Sequence, residues 1–142
     1  MVCAIALSVA LHGFTAQSEA TVKQALGKVS AVTGNTYVID NANPAPDLDI
    51  TLSGQSWKTK GGQALAFTAG NHVEVFSRYL NQNGWGWENG ISLGPVLLHE
   101  LGHAYGLPHA STMDSIMYPA ADVTSATGFS KGDKAALQAT CH

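Results

Sequence analysis

The sequence predicts a single α+β domain, and three patterns along its 142 residues support this prediction. In residues 19–32 the apolar side chains recur at helical spacing, which predicts an amphipathic helix. Residues 48–52 read LDITL, and this alternation of apolar and polar side chains is typical of a half-buried strand. Residues 92–106 again have helical character, so strands and helices both occur within a length that suits one domain.

The apolar residues 2–11 allow two interpretations. They could be the hydrophobic core of a signal peptide, with Ser18-Glu19-Ala20 as its cleavage site, or the first buried strand of the domain. No basic residue precedes the apolar run, and the run is too short to span a membrane. We favour the strand, because loss of these residues would remove a strand from the sheet. Any export signal or pro-segment would then lie upstream.

Three further strands are expected at residues 37–39, 64–68 and 72–76, the last two joined by a turn at residues 69–71. A long loop is expected at residues 81–90, which contain two tryptophans among glycines and asparagines. We interpret both rings as packing anchors for this loop rather than as a platform for a ligand.

Polar residues mark where the helices begin. Ser18 is the expected N-cap of the first helix. Ser92 is expected to cap a second helix that has Pro95 in its first turn. Near the C-terminus, Ser130 is the expected N-cap of a third helix, with Asp133 at its third position as in a capping box.

The composition is that of a globular protein with many turns: 45% hydrophobic and 12% charged residues, with 15 glycines. A net charge of −3 gives no reason to expect nucleic acid or an anionic membrane as a partner. The sequence does not indicate the oligomeric state.

Cys3 and Cys141 could form a disulfide between the first strand and the last helix in an oxidising compartment, or remain two free thiols. Sequence does not supply the Cα separation of about 4.4 to 6.8 Å that a disulfide needs.

The segment HELGHAYGLPH, from His99 to His109, carries the strongest chemical signal. On a helix, His99 and His103 lie on one face, so that a ring nitrogen from each can reach the same ion. Glu100 projects about 100° further around the helix, where it can hydrogen-bond a water on the metal. Glu100 is therefore the candidate general base, and the two histidines are candidate zinc ligands.

A third ligand, His109, reaches the same ion only if the helix ends and the chain reverses. Gly106 accepts the left-handed conformation that such a reversal needs, and Pro108 favours an extended residue before it. Three neutral imidazoles leave a fourth coordination position open, which is typical of catalytic rather than structural zinc. The sequence therefore predicts one catalytic zinc ion on His99, His103 and His109.

The residues SIMYP, from Ser115 to Pro119, follow this motif. Together, HELGHAYGLPH and SIMYP resemble the zinc-binding motif and Met-turn of the metzincin clan, and most closely those of the matrixins and their bacterial relatives. The resemblance implies that Met117 is an apolar floor beneath the imidazoles and not a ligand. It also implies that Gly106, Tyr118 and Pro119 support the site. Met113 is a competing candidate for the Met-turn, but it lacks the following Tyr-Pro.

The resemblance implies a metzincin-like zincin fold: a twisted mixed sheet of about five short strands with three helices. The zinc would lie in a cleft between an N-terminal subdomain, about residues 1–106, and a small C-terminal one, about residues 107–142. In this family the strand at residues 64–68 forms the sheet edge above the cleft. An extended substrate would pair with Ala64, Leu65, Ala66 and Phe67 at that edge, unless the loop at residues 53–62 covers it.

The chain also departs from the vertebrate matrixins. They carry a histidine and aspartate cluster for a second, structural zinc and loops for calcium, whereas this chain has only His72 in the corresponding strand. One zinc is therefore expected, and calcium binding is left open. No pro-segment cysteine motif is present in these residues. Ala121 stands where the family commonly has a tyrosine in the pocket wall, which would make that wall smaller.

Other polar residues are expected to have structural roles. His12, His72 and His142 lack partners at ligand spacing, so we interpret them as surface or hydrogen-bonded histidines. Asp114 precedes the Met-turn and is expected to accept hydrogen bonds from backbone amides there.

The predicted function is that of a zinc-dependent endopeptidase that hydrolyses peptide or protein substrates, and the family resemblance implies a secreted, extracellular location. Two alternatives stay open: a zinc-stabilised binding or structural module without activity, and a self-processing domain of a larger assembly. The presence of Glu100 argues against the first alternative, because purely structural zinc prefers four protein ligands.

Overall fold

The computed structural model of the protein describes residues 3–53, 57–59, 62–76, 92–119 and 126–141. These residues form seven strands and three helices. In chain order they are β1 (Ala6–His12), α1 (Ala16–Thr33), β2 (Thr36–Ile39), β3 (Leu48–Ser53), β4 (Trp57–Thr59), β5 (Gly62–Ala64), β6 (Ala66–Ala69), β7 (His72–Phe76), α2 (Leu93–Ala104) and α3 (Lys131–Ala139).

Five of the strands form one mixed sheet in the order β2-β1-β3-β7-β6. The pairs β1/β2, β1/β3 and β3/β7 are parallel, whereas β6 pairs antiparallel with β7 and is the outer strand on that side. Strands β4 and β5 form a separate antiparallel hairpin. This mixed sheet with three helices confirms the predicted α+β class.

Residues 6–12 form an inner strand of this sheet, as expected from their apolar character. Leu7, Val9 and Leu11 are buried on one face of β1, and Ile50 and Val73 continue that face on β3 and β7. Since alternate side chains of a strand point to the same face, this layer forms one wall of the core. The N-terminal apolar run is therefore part of the folded domain.

Helix α1 supplies the opposite wall of the core, and its Val22, Leu26 and Val29 are buried as their spacing predicts. The expected N-cap was wrong. The cap is Thr15, whose Oγ1 accepts a hydrogen bond from the Ser18 amide. In return, the Ser18 hydroxyl oxygen accepts a hydrogen bond from the Thr15 amide. This reciprocal pair is a capping box, and it allows the helix to begin before Ser18.

The strand expected at residues 64–68 also differs from the structure. Ala64 ends β5 in the separate hairpin, and the edge strand β6 begins at Ala66 and extends to Ala69. The turn to β7 therefore consists of Gly70 and Asn71, and Gly70 has a φ of 59°. A left-handed residue suits so tight a connection, and glycine adopts it without strain.

The two chain ends are joined by a disulfide between Cys3 and Cys141, whose Cα atoms lie 5.0 Å apart.

Helix α3 begins at the predicted capping box of Ser130 and Asp133. No helix in the described residues is long and apolar enough to cross a membrane. The predictions for the loop at residues 81–90, for residues 54–56 and 60–61 of the loop at 53–62, for the pocket wall at Ala121 and for His142 lie outside the described residues. Residues 57–59 of the expected loop form strand β4, and Gly62 begins β5. The division into subdomains stays a prediction.

Candidate metal centre

Helix α2 carries the first half of the site, and its sequence explains its position. Ser92 stands at the N-cap with an extended backbone, although its side chain makes no capping hydrogen bond. Pro95 lies in the first turn, where its missing amide hydrogen costs no helical hydrogen bond. The fully buried Leu97 and Leu101 hold the helix against the core. The first two histidines of the motif, His99 and His103, then lie half-buried on α2.

The chain reverses directly after α2, as the motif predicts. Gly106 has a φ of 93°, a left-handed conformation that favours glycine. The Leu107 amide donates to the Gly102 carbonyl at 2.9 Å, which closes the helix end with a bond typical of the Schellman motif. His109 is thereby brought beside the other two histidines, with ring centroids 5.2 Å from His99 and 4.8 Å from His103.

The three histidines fit one tetrahedral ion. Their candidate ligand nitrogens all lie within 4.8 Å of one another. The Nε2 atoms of His99 and His103 are 3.1 Å apart. Nitrogen ligands lie about 2.0 to 2.1 Å from zinc, which places two of them about 3.3 Å apart around a tetrahedral ion. The observed separation is therefore that of two ligands of one ion, and His99, His103 and His109 are the residues that would hold it.

Two backbone carbonyls orient the imidazoles. The Nδ1 atom of His99 lies 2.7 Å from the Ile116 carbonyl, and Nδ1 of His103 lies 2.8 Å from the Leu107 carbonyl. A carbonyl only accepts, so each Nδ1 carries the proton and donates it, and each Nε2 presents a lone pair to the ion. Burial lowers the pKa of His99 and of His109, which favours the neutral form that a metal requires.

Glu100 lies at the inner side of this cluster and is only 8% exposed. Its Oε2 accepts a hydrogen bond from the Thr68 hydroxyl of strand β6 at 2.5 Å. Burial raises the pKa of Glu100, while this hydrogen bond and the nearby His103 and His109 oppose the rise. A carboxylate with a raised pKa beside a metal-binding cluster suits a group that accepts a proton.

Met117 is buried next to the zinc-binding motif, with 2% of its surface exposed, whereas the competing Met113 is 51% exposed. The Met117 sulfur packs against Gly102 of the motif so closely that a Cβ atom there would clash with it. The Met117 carbonyl also accepts the Ala110 amide at 3.0 Å, next to the third histidine. Tyr118 follows half-buried and Pro119 is exposed at the end of this turn.

A buried carboxylate from α3 holds the Met-turn. Asp133 accepts hydrogen bonds from the Ser115 hydroxyl at 2.5 Å, the Ile116 amide at 2.8 Å and the Ser130 amide at 3.0 Å. Burial raises the pKa of Asp133, but these hydrogen bonds outweigh burial, so the pKa lies below its usual value. The sequence suggested Asp114 for this role, but Asp114 is exposed and Asp133 performs it.

A second polar network holds the end of α2. The Tyr105 hydroxyl accepts a hydrogen bond from Asn35 at 2.7 Å and lies 2.6 Å from the Tyr37 hydroxyl. Burial and this contact raise the pKa of Tyr37 well above its usual value. The network connects β2 and the end of α1 to the residue that precedes the Gly106 reversal. Sequence reasoning missed it, because residues so distant in the chain leave no local pattern.

The other predicted residues lie on the strands or next to them. His12 and His72 both contact the carboxylate of Asp49, at 3.2 and 3.3 Å, and are partly exposed, which agrees with their interpretation as surface or hydrogen-bonded histidines. The four residues predicted to pair with substrate do not share one strand: Ala64 ends β5, Leu65 follows it, and Ala66 and Phe67 begin β6.

The fold and the site together define a class of protein. A five-stranded mixed sheet, an HExxH helix, a third histidine after a glycine reversal and a buried methionine turn are the features of a metzincin-like zincin. The chain belongs to the matrixin family, because the family model of the matrixin peptidases matches residues 12–140. The family to which the chain belongs is one of peptidases.

Known proteins that are similar to this chain include one from a virus and one from an archaeon. A putative matrix metalloproteinase of Trichoplusia ni ascovirus 2c is 52% identical over 33 residues, which is 23% of this chain and 7% of the viral protein. The crystal structure of archaemetzincin (amzA) from Methanopyrus kandleri superposes with a TM-score of 0.69 over 94% of each chain, at 15% sequence identity. At that identity the structural likeness shows the fold alone.

Proposed function

We propose that the protein is a zinc-dependent endopeptidase with one catalytic zinc ion and with Glu100 as its general base. The observation that carries this proposal is the convergence of three imidazole nitrogens beside a buried carboxylate. The cluster in the described residues consists of His99, His103 and His109, and three ligands are typical of catalytic rather than structural zinc. This supports the peptidase over a module that uses zinc only for stability.

Each residue then has a definite task in peptide hydrolysis. When bound, zinc supplies Lewis-acid polarisation of a carbonyl group and makes water more acidic. Glu100 accepts the proton of the attacking water on its carboxylate and passes it to the departing amine. The Ile116 and Leu107 carbonyls keep the imidazoles turned toward the ion during these steps.

The edge strand β6 is proposed to hold an extended peptide substrate. The Phe76 amide donates to the Leu65 carbonyl, so the backbone groups of Leu65 and Phe67 face β7. Along a strand of an antiparallel pair, the N–H and C=O groups of successive residues point alternately toward the partner strand and away from it. The backbone groups of Ala66 and Thr68 therefore face away from β7. A peptide running antiparallel to β6 could bond to them with little dependence on its side chains.

An extracellular location is also proposed. The disulfide between Cys3 and Cys141 supports it, because such bonds persist in oxidising compartments. Two free thiols in protein from its native source would contradict this location.

Replacement of Glu100 tests the catalytic proposal. We expect Glu100→Gln to bind one equivalent of zinc, as the wild type does, but to lose at least about a hundredfold in kcat, since a positioned base contributes about 10² to 10⁴. Cleavage of a quenched peptide library, metal content and inhibition by a chelator are the measurements. Glu19→Gln, on α1 in a partly exposed ion pair with Lys23, is the matched control and should behave as wild type.

The outcome decides between the proposed functions. Unchanged turnover in Glu100→Gln would overturn the mechanism. A wild type that binds zinc but cleaves neither the peptides nor its own chain would favour the structural module. Cleavage restricted to its own chain would favour the self-processing domain.

A further inference from the structure

We propose that Thr68 is a positioning residue that orients the Glu100 carboxylate and connects it to the strand that holds the substrate. This inference rests on the proposed function and assigns a role to a residue that sequence reasoning missed. The Thr68 hydroxyl oxygen lies 2.5 Å from Oε2 of Glu100 and 3.2 Å from the Glu100 backbone carbonyl oxygen. One hydroxyl therefore contacts both the backbone and the carboxylate of the same residue.

This double contact restricts the Glu100 side chain. The hydroxyl has one proton, and an ionised carboxylate is the stronger of its two possible acceptors. Both contacts exist together only when the side chain of Glu100 folds back toward β6. The Thr68 hydroxyl thus donates its hydrogen bond to Oε2, and the lone pairs of Oε1 can accept a hydrogen bond from water. Without the hydroxyl, the flexible glutamate could adopt rotamers that turn both oxygens away from the reacting water.

The position of Thr68 on the strand gives the contact a second consequence. Its backbone groups face the open side of β6, where the substrate is proposed to lie, while its side chain points to α2. Threonine is β-branched and has a restricted χ1 angle, so its hydroxyl is held in a defined direction from the backbone. A peptide bonded to this strand would therefore be placed in register with the carboxylate through a single residue.

The local sequence contains a signal that could have identified Thr68. In AFTA, residues 66–69, the side chains of Ala66 and Thr68 point toward the helices, and those of Phe67 and Ala69 point to the other face. A polar residue at an inward position of a strand needs a hydrogen-bond partner. Here the partner is the carboxylate of the zinc-binding motif.

The test compares two substitutions of Thr68. Thr68→Val keeps the shape and removes the hydroxyl, whereas Thr68→Ser keeps the hydroxyl. We expect Thr68→Val to lower kcat by about ten- to a hundredfold, the range for loss of a hydrogen bond to a charged group, with KM and zinc content unchanged. Thr68→Ser should restore kcat to within about threefold of wild type. Thr36→Val, on the exposed opposite edge strand β2, is the matched control.

A second measurement does not depend on activity. In chemical denaturation, Thr68→Val should lower the unfolding midpoint more in the wild-type background than in the Glu100→Ala background. The reason is that Glu100→Ala already lacks the carboxylate to which the Thr68 hydroxyl donates. Equal shifts in both backgrounds would overturn the inference, as would a wild-type kcat in Thr68→Val or an equal loss in Thr68→Ser. An inactive wild type with unequal midpoint shifts would instead overturn the proposed function and leave the Thr68 contact supported.

Discussion

The hydrogen bonds of Asp133 predict a large effect for its replacement. In Asp133→Ala, the amides of Ile116 and Ser130 and the hydroxyl of Ser115 lose a buried carboxylate acceptor at 2.5 to 3.0 Å. A hydrogen bond to a charged group contributes about 1.5 to 3 kcal/mol, and these three share one acceptor, so the free energy of unfolding should fall by about 3 to 5 kcal/mol. That loss is a large part of the stability of a small domain.

The same substitution should weaken zinc binding. Asp133 holds the amide of Ile116, and the carbonyl of Ile116 orients His99. Loss of such supporting groups typically costs about ten- to a hundredfold in metal affinity. Urea denaturation and competition with a chromogenic chelator measure the two effects. Asp114→Ala, an exposed aspartate beside the same turn, is the matched control and should change the free energy of unfolding by less than about 0.5 kcal/mol.

The sign of the pH dependence follows from the lowered pKa of Asp133. The folded state holds this carboxylate ionised at a pH where the unfolded chain, with a pKa of about 3.9, already takes up a proton. The stability that this carboxylate contributes is therefore complete above a pH of about 3.9, and it is lost as the pH falls through the lower pKa of the folded state. In Asp133→Asn, the free energy of unfolding should therefore fall less steeply at acidic pH.

The reasoning would be refuted if Asp133→Ala had the same free energy of unfolding and the same zinc affinity as the wild type.

Two further predictions concern other long-range contacts. Tyr105→Phe removes the hydroxyl that contacts both Asn35 and Tyr37, so it should lower the free energy of unfolding by about 1 to 3 kcal/mol. Urea denaturation measures this change, and an unchanged free energy of unfolding would contradict a role for the network. Reduction of the bond between Cys3 and Cys141, which closes a loop with a separation of 138 residues, should lower the free energy of unfolding by about 2 to 4 kcal/mol. Calorimetry with and without reductant checks this, with the double serine variant as the control that reductant should not affect.

The sequence alone determined the zinc-binding motif and the class of the fold. His99 and His103 share a face because helical periodicity is local, and the reversal after α2 follows from the left-handed φ of Gly106. Buried strands and the first helix were also predictable, because their apolar periodicity reflects the face that each buries. The cap of the first helix was misplaced, because Thr15 and Ser18 each carry a suitable hydroxyl and only their reciprocal bonding identifies the cap.

Only the tertiary structure decided which distant groups support that motif. Thr68 meets Glu100 across 32 positions of the chain, and Asp133 meets Ile116 across 17. No local pattern identifies both partners of such a pair, because their meeting depends on how β6, α2 and α3 pack together. For the same reason Asp133, recognised from sequence as a helix cap, also proved to hold the Met-turn. The motif is a local consequence of backbone geometry, whereas its supporting hydrogen bonds exist only once the core has brought the elements together.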